Sequence, residues 1–144
     1  MGVNARRVLE RIEIEHMEHG GVENGALPVT HKDFMAAGVK ASEITPAIKE
    51  LVFLGIIHHE RGGRYGGTNK PSKFGLAWLP DQSGSPATNR WKAITAEQIE
   101  IWKGERSKAR KGRRVYLRNQ KATTDSRGMK PRLSVVVGGK KAGG

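Results

Sequence analysis

The sequence predicts an α+β, mainly helical fold in which three helices and a β-hairpin precede a further helix and a strongly basic tail. Three observations predict it. Apolar residues recur at helical spacing in segments that end at glycine; extended apolar stretches flank a glycine-rich run; and positive charge gathers after residue 90. At 144 residues the chain can form one core of ordinary size plus an extension, because such a core uses about 100 to 150 residues. The expected organisation is a domain over residues 1–80, a linker over 81–94, an accessory helix over 95–111 and a basic, flexible, disordered tail over 112–144.

From Ala5 to His19, a helical face is carried by Ala5, Val8, Leu9, Ile12 and Met17, with Asn4 placed to cap it. Gly20 and Gly21 stop this helix, Asn24-Gly25 turns the chain, and Ala26 to Val29 is extended. Thr30 stands three residues before Asp33, a shortened capping box that starts a brief helix from His31 to Ala37, which Gly38 ends. Ile44, Ala47, Ile48, Leu51 and Leu54 give a third helix its apolar face, with Ser42 placed as the cap and Gly55 as the stop. Pro46 is tolerated in the first turn or else moves the helix start to Thr45. Ile56 to Arg61 and Lys73 to Leu79 form the strands of the hairpin, the second with Phe74, Leu76 and Trp78 on one face, and GGRYGGTNKPS is its loop.

Pro80 to Asn89 is rich in Ser, Gly, Pro and Asp, the composition of a linker. Thr95 and Gln98 then form a capping box before a helix whose Ile99 and Trp102 share a face suited to docking. Residues 105–132 alternate Lys and Arg with small polar residues and cannot bury enough apolar area to fold alone, so they are expected to be mobile. Leu133 to Val137 is an isolated β-prone run, suited either to pairing with an edge strand or to remaining exposed. There is no internal repeat and no sustained heptad pattern.

The net charge of +12 is unevenly divided. Residues 1–90 hold 11 Lys/Arg against 10 Asp/Glu, a net of +1, whereas residues 91–144 hold 15 against 4, a net of +11. A block of like charge resists compaction and attracts polyanions, and counterion release from nucleic acid needs no sequence recognition. Nucleic acid is therefore the expected partner class. The absence of cysteine excludes disulfides, thiolate zinc sites and cysteine nucleophiles. Arg6, Arg7, Glu10 and Arg11 interrupt the first segment, which points away from a signal peptide, a membrane span or membrane partners and toward a cytoplasmic, nucleoid-associated protein.

The order helix, short strand, helix, turn, helix, hairpin between Ala26 and Leu79 resembles the winged helix-turn-helix family. The stretch ALPVTHKDFMAAGVKASEITPAIKELVFLGII is similar to the family's helix-turn-helix, its second helix ending in Leu-x-x-Leu-Gly-Ile, and RGGRYGGTNKPSKFGLAWL is similar to its wing. Comparable small proteins of bacterial plasmids, phages and integrative elements act as repressors or accessory replication and transfer factors. The resemblance implies sequence-preferring binding of double-stranded DNA. The third helix would enter the major groove and the hairpin tip would reach the neighbouring phosphate backbone or minor groove, with the protein as monomer or homodimer.

On that basis Ser42, Thr45 and Lys49, opposite Ile44, Ile48 and Leu51, are the candidate base readers, since lysine donates to guanine acceptors and hydroxyls serve either role. A plain solvated helix face is the competing explanation. In the wing, Arg61, Arg64, Lys70 and Lys73 surround glycines that allow close backbone approach to phosphate. Tyr65 is suited to lie on a sugar or base and equally to pack on the strand stem. In the tail, Lys103, Arg106, Lys108, Arg110, Lys111, Arg113 and Arg114 are candidate phosphate contacts, with a solubility tail as the alternative. Trp91 and Trp102 are expected to be packing anchors.

No catalytic, metal or cofactor site is expected. EHMEH follows neither the His-Glu-x-x-His nor the His-x-x-Glu-His order of zinc proteases, and adjacent His58 and His59 point to opposite sheet faces. Gly62 and Gly67 have the spacing of P-loop glycines, but Thr68 stands where that loop needs lysine. Two further functions compete with DNA binding. One is an RNA-associated structural protein whose basic tail threads into folded RNA, and the other is a protein-interaction module on the same fold.

Overall fold

The computed structural model describes residues 1–128, as a first unit, Met1–Thr95, and a second that begins at Ala96. The run Leu133 to Val137 lies outside the described residues. The chain is α+β and mainly helical, with four α-helices and a three-stranded antiparallel sheet among the described residues.

Helix α1 (Val3–Glu18) buries Ala5, Val8 and Ile12, residues spaced three to four apart, which is what one face of a helix requires. It packs on α3 (Ala41–Phe53), which returns Ile44, Ala47, Ile48 and Leu51 to the same core. Between them lie β1 (Leu27–Pro28) and the single-turn-plus α2 (His31–Ala36), whose Phe34 is fully buried. The Thr30 box is present in full: the Asp33 amide donates to the Thr30 hydroxyl, and the Asp33 carboxylate accepts from the Thr30 amide at 2.7 Å. The Thr30 hydroxyl also donates to that carboxylate at 2.7 Å, and this bond together with the one from the amide holds the Asp33 carboxyl below its usual range.

Several expected details are corrected. Gly2, not Asn4, precedes α1 and gives no side-chain cap, and Met17 is exposed rather than on the core face. Lys40, not Ser42, is the N-cap of α3, which does not start at Thr45, so Pro46 stands inside the helix beyond the first turn. An interior proline costs about 3 kcal/mol. Full burial of Ile44, Ile48 and Leu51 outweighs it, at roughly 1.5–3 kcal/mol each.

The sheet has the order β1-β5-β2, built from β2 (Ile57–Glu60) and β5 (Lys73–Leu76) with β1 on the far edge of β5. The second hairpin strand ends at Leu76 rather than Leu79. As the central strand it is covered on both sides, with Phe74, Gly75 and Leu76 all buried and Trp78 only half-buried. Gly75 has no room for a side chain, because a Cβ there would lie 2.8 Å from the Gly25 Cα. Asn24 closes the joint beside it. Its buried amide donates to the carbonyls of Leu76 (3.0 Å), Leu79 (3.2 Å) and Pro80 (3.0 Å), and its Oδ1 accepts from the Leu76 amide at 2.6 Å.

Residues 81–94 are not a free linker but part of the first unit. The Gln82 amide donates to the Asn24 carbonyl and the Asn89 amide to the Ala77 carbonyl. A 3-10 turn, Arg90–Ala93, follows, with Arg90 and Trp91 so near Gly55 that a Cβ on Gly55 would sit 2.7 Å from the Arg90 Cβ and 2.9–3.0 Å from their backbone. Trp91 is not an anchor but 46 % exposed, with the Lys92 ammonium 5.4 Å from its ring. The last described element, α4 (Ala96–Gly128), starts directly after Thr95 as expected but runs to Gly128, so residues 112–128 are helical where a disordered tail was expected.

Removing the Asn24 side chain strands a buried amide and two or more carbonyls, each worth about 1–3 kcal/mol when unpaired. Asn24→Ala should therefore destabilise the first unit by about 2–4 kcal/mol and lower Tm by at least about 10 °C in a thermal melt. A second expectation concerns pH. The His59 ring stacks on Phe74 at 4.7 Å between centroids, and Phe74 meets Phe34 edge-on at 5.6 Å. This burial, reinforced by the Arg61 guanidinium, holds the imidazole below its ordinary value of 6.5. Because the folded state prefers the neutral ring, the His59 contribution is complete above the unfolded value and is lost as pH falls through the lower folded one. Tm should drop between about pH 7 and pH 5, and His59→Gln should flatten that slope. An unaltered slope in the variant would show that His59 is not its source.

Candidate nucleic-acid interface

Two features of the first unit present polar and cationic groups outward. The first is α3. Its N-terminal end follows the extended Lys40 (φ −63°, ψ 139°), and Glu43 places a carboxylate in the first turn, where the helix dipole favours negative charge. Its other end is fixed by Gly55, which takes a left-handed φ of +63°. The Gly55 amide donates to the Val52 carbonyl and the Ile56 amide to the Leu51 carbonyl, a Schellman closure. With both ends set and the apolar stripe buried, the rotation of the helix about its axis is set too. Ser42, Thr45 and Lys49 are all exposed and fall within an arc of about 60° at ideal helical spacing, opposite Ile44, Ile48 and Leu51. Lys40 is exposed at the same end as Ser42 and was not among the expected contacts, since its place depends on the helix starting at Ala41.

The second feature is a ribbon. The glycine-rich segment expected as an open loop is a strand pair, β3 (Gly63–Tyr65) with β4 (Thr68–Lys70), in the register Gly63↔Lys70, Arg64↔Asn69 and Tyr65↔Thr68. Gly66 and Gly67 turn the chain with φ of +54° and +84°, the double left-handed pair of a type I′ turn. The ribbon continues the β2–β5 hairpin in the same register, with the ladder interrupted at residues 61–62 on one strand and 71–72 on the other. At this interruption the backbones touch: a Cβ on Gly62 would be 2.3–2.5 Å from Lys70, Pro71 and Ser72 backbone atoms, and the Gly62 amide donates to the Ser72 hydroxyl at 3.1 Å. Pro71 sits where no ladder amide is needed.

Arg61, Arg64, Lys70 and Lys73 are all exposed on this hairpin, with Glu60, opposite Lys73, as the one acidic residue between Glu50 and Asp81. Tyr65 pairs with Thr68 next to the turn. Arg64 and Lys70 occupy successive register positions and hence opposite faces of the ribbon, so the positive charge surrounds the tip.

The histidines take other parts. His58 is exposed, its Nε2 3.2 Å from the Thr88 hydroxyl, while His59 is half-buried, its ring stacked on Phe74. His19 lies between carboxylates, Nε2 at 3.2 Å from Glu15 and Nδ1 at 2.8 Å from Glu23, with Arg11 on the other Glu15 oxygen. Among the described residues no three His, Asp or Glu side chains are grouped to hold a metal ion, and no helix is long and apolar enough to cross a membrane.

In the second unit, Lys103, Lys108, Arg110, Lys111, Arg113 and Arg114 are exposed on α4. Arg106 is half-buried, its guanidinium 5.0 Å from the Trp102 ring. Lys103 pairs with Glu100 at 2.7 Å.

No protein-family model, curated protein or solved structure matches the chain.

The junction makes the response to substitution local. Gly62→Ala must push the strands apart, and β3 and β4 form a two-stranded sheet separate from the β1-β5-β2 sheet, so amide chemical-shift changes should be confined to about residues 59–73. Shifts spreading into α1 and α3 would show that the ribbon is part of the core instead.

Proposed function

We propose that the first unit is a winged helix-turn-helix domain that binds double-stranded DNA with sequence preference, serving as a transcriptional regulator or accessory factor of a mobile element or replicon. The observation that carries this reading is the pairing, within one unit, of an exposed Ser42-Thr45-Lys49 face on a rotationally fixed helix with a hairpin that bears four exposed cations on and beside its terminal ribbon.

The chemistry of each part follows from its groups. The Lys49 ammonium donates to guanine O6 and N7 in the major groove, and the Ser42 and Thr45 hydroxyls donate or accept at neighbouring base edges. Helix α3 has the diameter that groove admits, about 10–12 Å against a width near 12 Å. Arg61, Arg64, Lys70 and Lys73 neutralise phosphates and fix the register of the helix on the duplex, which carries no sequence information by itself. The basic residues from Lys103 onward add affinity through counterion release.

Selection of bound fragments from a random duplex pool tests the reading. A defined motif should emerge, and Thr45→Ala with Lys49→Ala should reduce the preference for it over random duplex by about tenfold or more. Neutralising the four hairpin cations should instead weaken binding to every duplex alike and reduce the salt slope by about 0.9 per lost phosphate contact. A pool without enrichment, or structured RNA outcompeting the duplex at equal phosphate concentration, would overturn the proposal in favour of RNA association.

A further inference from the structure

The cations of α4 are not spread evenly round the helix. Between Lys103 and Arg118 the sequence has eight Lys/Arg and a single acid, Glu105. At about 100° per residue, seven of the eight (all but Lys108) fall within an arc of roughly 160°. Arg113 and Arg106 stand at one border of that arc, Lys111 and Arg118 at the other, and Lys103, Arg110 and Arg114 between them. The opposite side carries Gly104, Ala109, Gly112, Val115 and Tyr116.

This one-sidedness has a cost. Along the arc, Arg106, Arg110, Arg114 and Arg118 follow one another at intervals of four residues, and like charges so placed oppose a helix by about 0.2–0.5 kcal/mol per pair. Nothing in a disordered polycation would call for that arrangement, because counterion release depends on the number and proximity of charges. A row of phosphates laid against the arc would turn the repulsion into attraction.

We propose that α4 is a preformed, one-sided phosphate-binding helix that lies along a groove of duplex DNA. Its two cationic borders reach the phosphates of the two strands, and the opposite side, poor in cations, faces away. This deepens the proposed function and rests on its duplex-binding part. The dimensions agree: 16 residues of helix extend about 24 Å, or about seven base pairs at 3.4 Å each. A B-form major groove admits a helix, whereas the deep, narrow major groove of A-form RNA does not. An anionic membrane is a poorer match, since interfacial helices need a broad, continuous apolar face, whereas the side of α4 away from the arc interrupts Ile101, Val115 and Tyr116 with Gly104, Glu105, Lys108, Ala109 and Gly112.

The test exchanges neighbouring residues in the full chain, leaving composition and net charge unchanged. Ala109→Arg with Arg110→Ala, Lys111→Gly with Gly112→Lys, and Arg114→Val with Val115→Arg together move three cations off the arc. Binding to a random-sequence duplex should weaken on the order of 10- to 100-fold at 0.2 M salt, with a salt slope shallower by up to about 2.7. Ser107→Lys with Lys108→Ser brings the outlying cation onto the arc and should tighten binding about fourfold, a gain that misfolding cannot produce. Unchanged affinity in both variants, with the selected-site preference intact, would overturn the helix-face proposal alone. Failure of the unaltered chain to bind any duplex would overturn it together with the proposed function. Stronger binding of the unaltered chain to duplex RNA or to anionic vesicles than to duplex DNA would replace the groove with that surface.

Discussion

The buried side chain of Asn24 is the joint on which the arrangement of the first unit depends. Four hydrogen bonds from one amide hold the end of α1's connection against β5 and the turn that follows it. Because Gly25 and Gly75 meet backbone to backbone at this point, β5 is held at a distance no side chain would permit. Strand β5 in turn positions β2, and β2 is covalently continuous with α3 on one side and with the cationic ribbon on the other. An unpaired polar group in such a place costs more than an ordinary hydrogen bond gains, so the joint is either fully made or strongly unfavourable. The direction in which the ribbon leaves the core is thus decided far from its own tip.

A second tie crosses the same region. The segment after β5 folds back through a turn organised by Asp81, whose carboxylate accepts from the Ser83 and Ser85 amides, both at 2.9 Å, and from the Ser83 hydroxyl at 2.6 Å. These bonds hold the Asp81 carboxyl below its usual range. Further on, Asn89 takes a left-handed φ of +47° and brings Arg90 and Trp91 onto Gly55. Gly55 therefore serves twice, ending α3 with a positive φ and leaving the space that the returning chain fills. The end of the candidate recognition helix is covered by backbone there, while the face bearing Ser42, Thr45 and Lys49 is left open.

Much of this was legible in the residues because local rules govern it. The three helices of the first unit, their glycine stops and the Thr30–Asp33 box follow from spacing and capping chemistry, and tertiary packing agrees with them. The exposed side of α3 was legible for the same reason: once Ile44, Ile48 and Leu51 are buried, Thr45 and Lys49 cannot be. What escaped was non-local. Asn24-Gly25 gives an unmistakable turn signal, but nothing in it shows that the amide will span to carbonyls more than fifty residues away. The segment from Pro80 to Asn89 has a linker's composition, and composition does not record two backbone hydrogen bonds that dock it. Glycine is common to loops and ribbons, and the distinction lies in the double positive φ of Gly66 and Gly67 and in the pairing on either side. The extent of α4 is masked by its charge, which argues for disorder, whereas the angular position of each charge argues for a helix with a face.

The division of charge between the two units bears on how affinity and discrimination would combine. Residues 1–90 are nearly neutral, so whatever the first unit contributes must come from the position of a few cations and hydroxyls rather than from their number. Such contacts act over hydrogen-bond distances and distinguish one base edge from another. On the proposed function, the excess charge from residue 91 onward would act through the counterion atmosphere and over a Debye length of about 8 Å at physiological salt, and would be indifferent to sequence. On the proposed function, then, raising the salt concentration removes the contribution of α4 faster than that of α3. Discrimination between sites should consequently survive conditions in which overall affinity has fallen by orders of magnitude, because the groups that choose a site and the groups that hold the duplex belong to different elements.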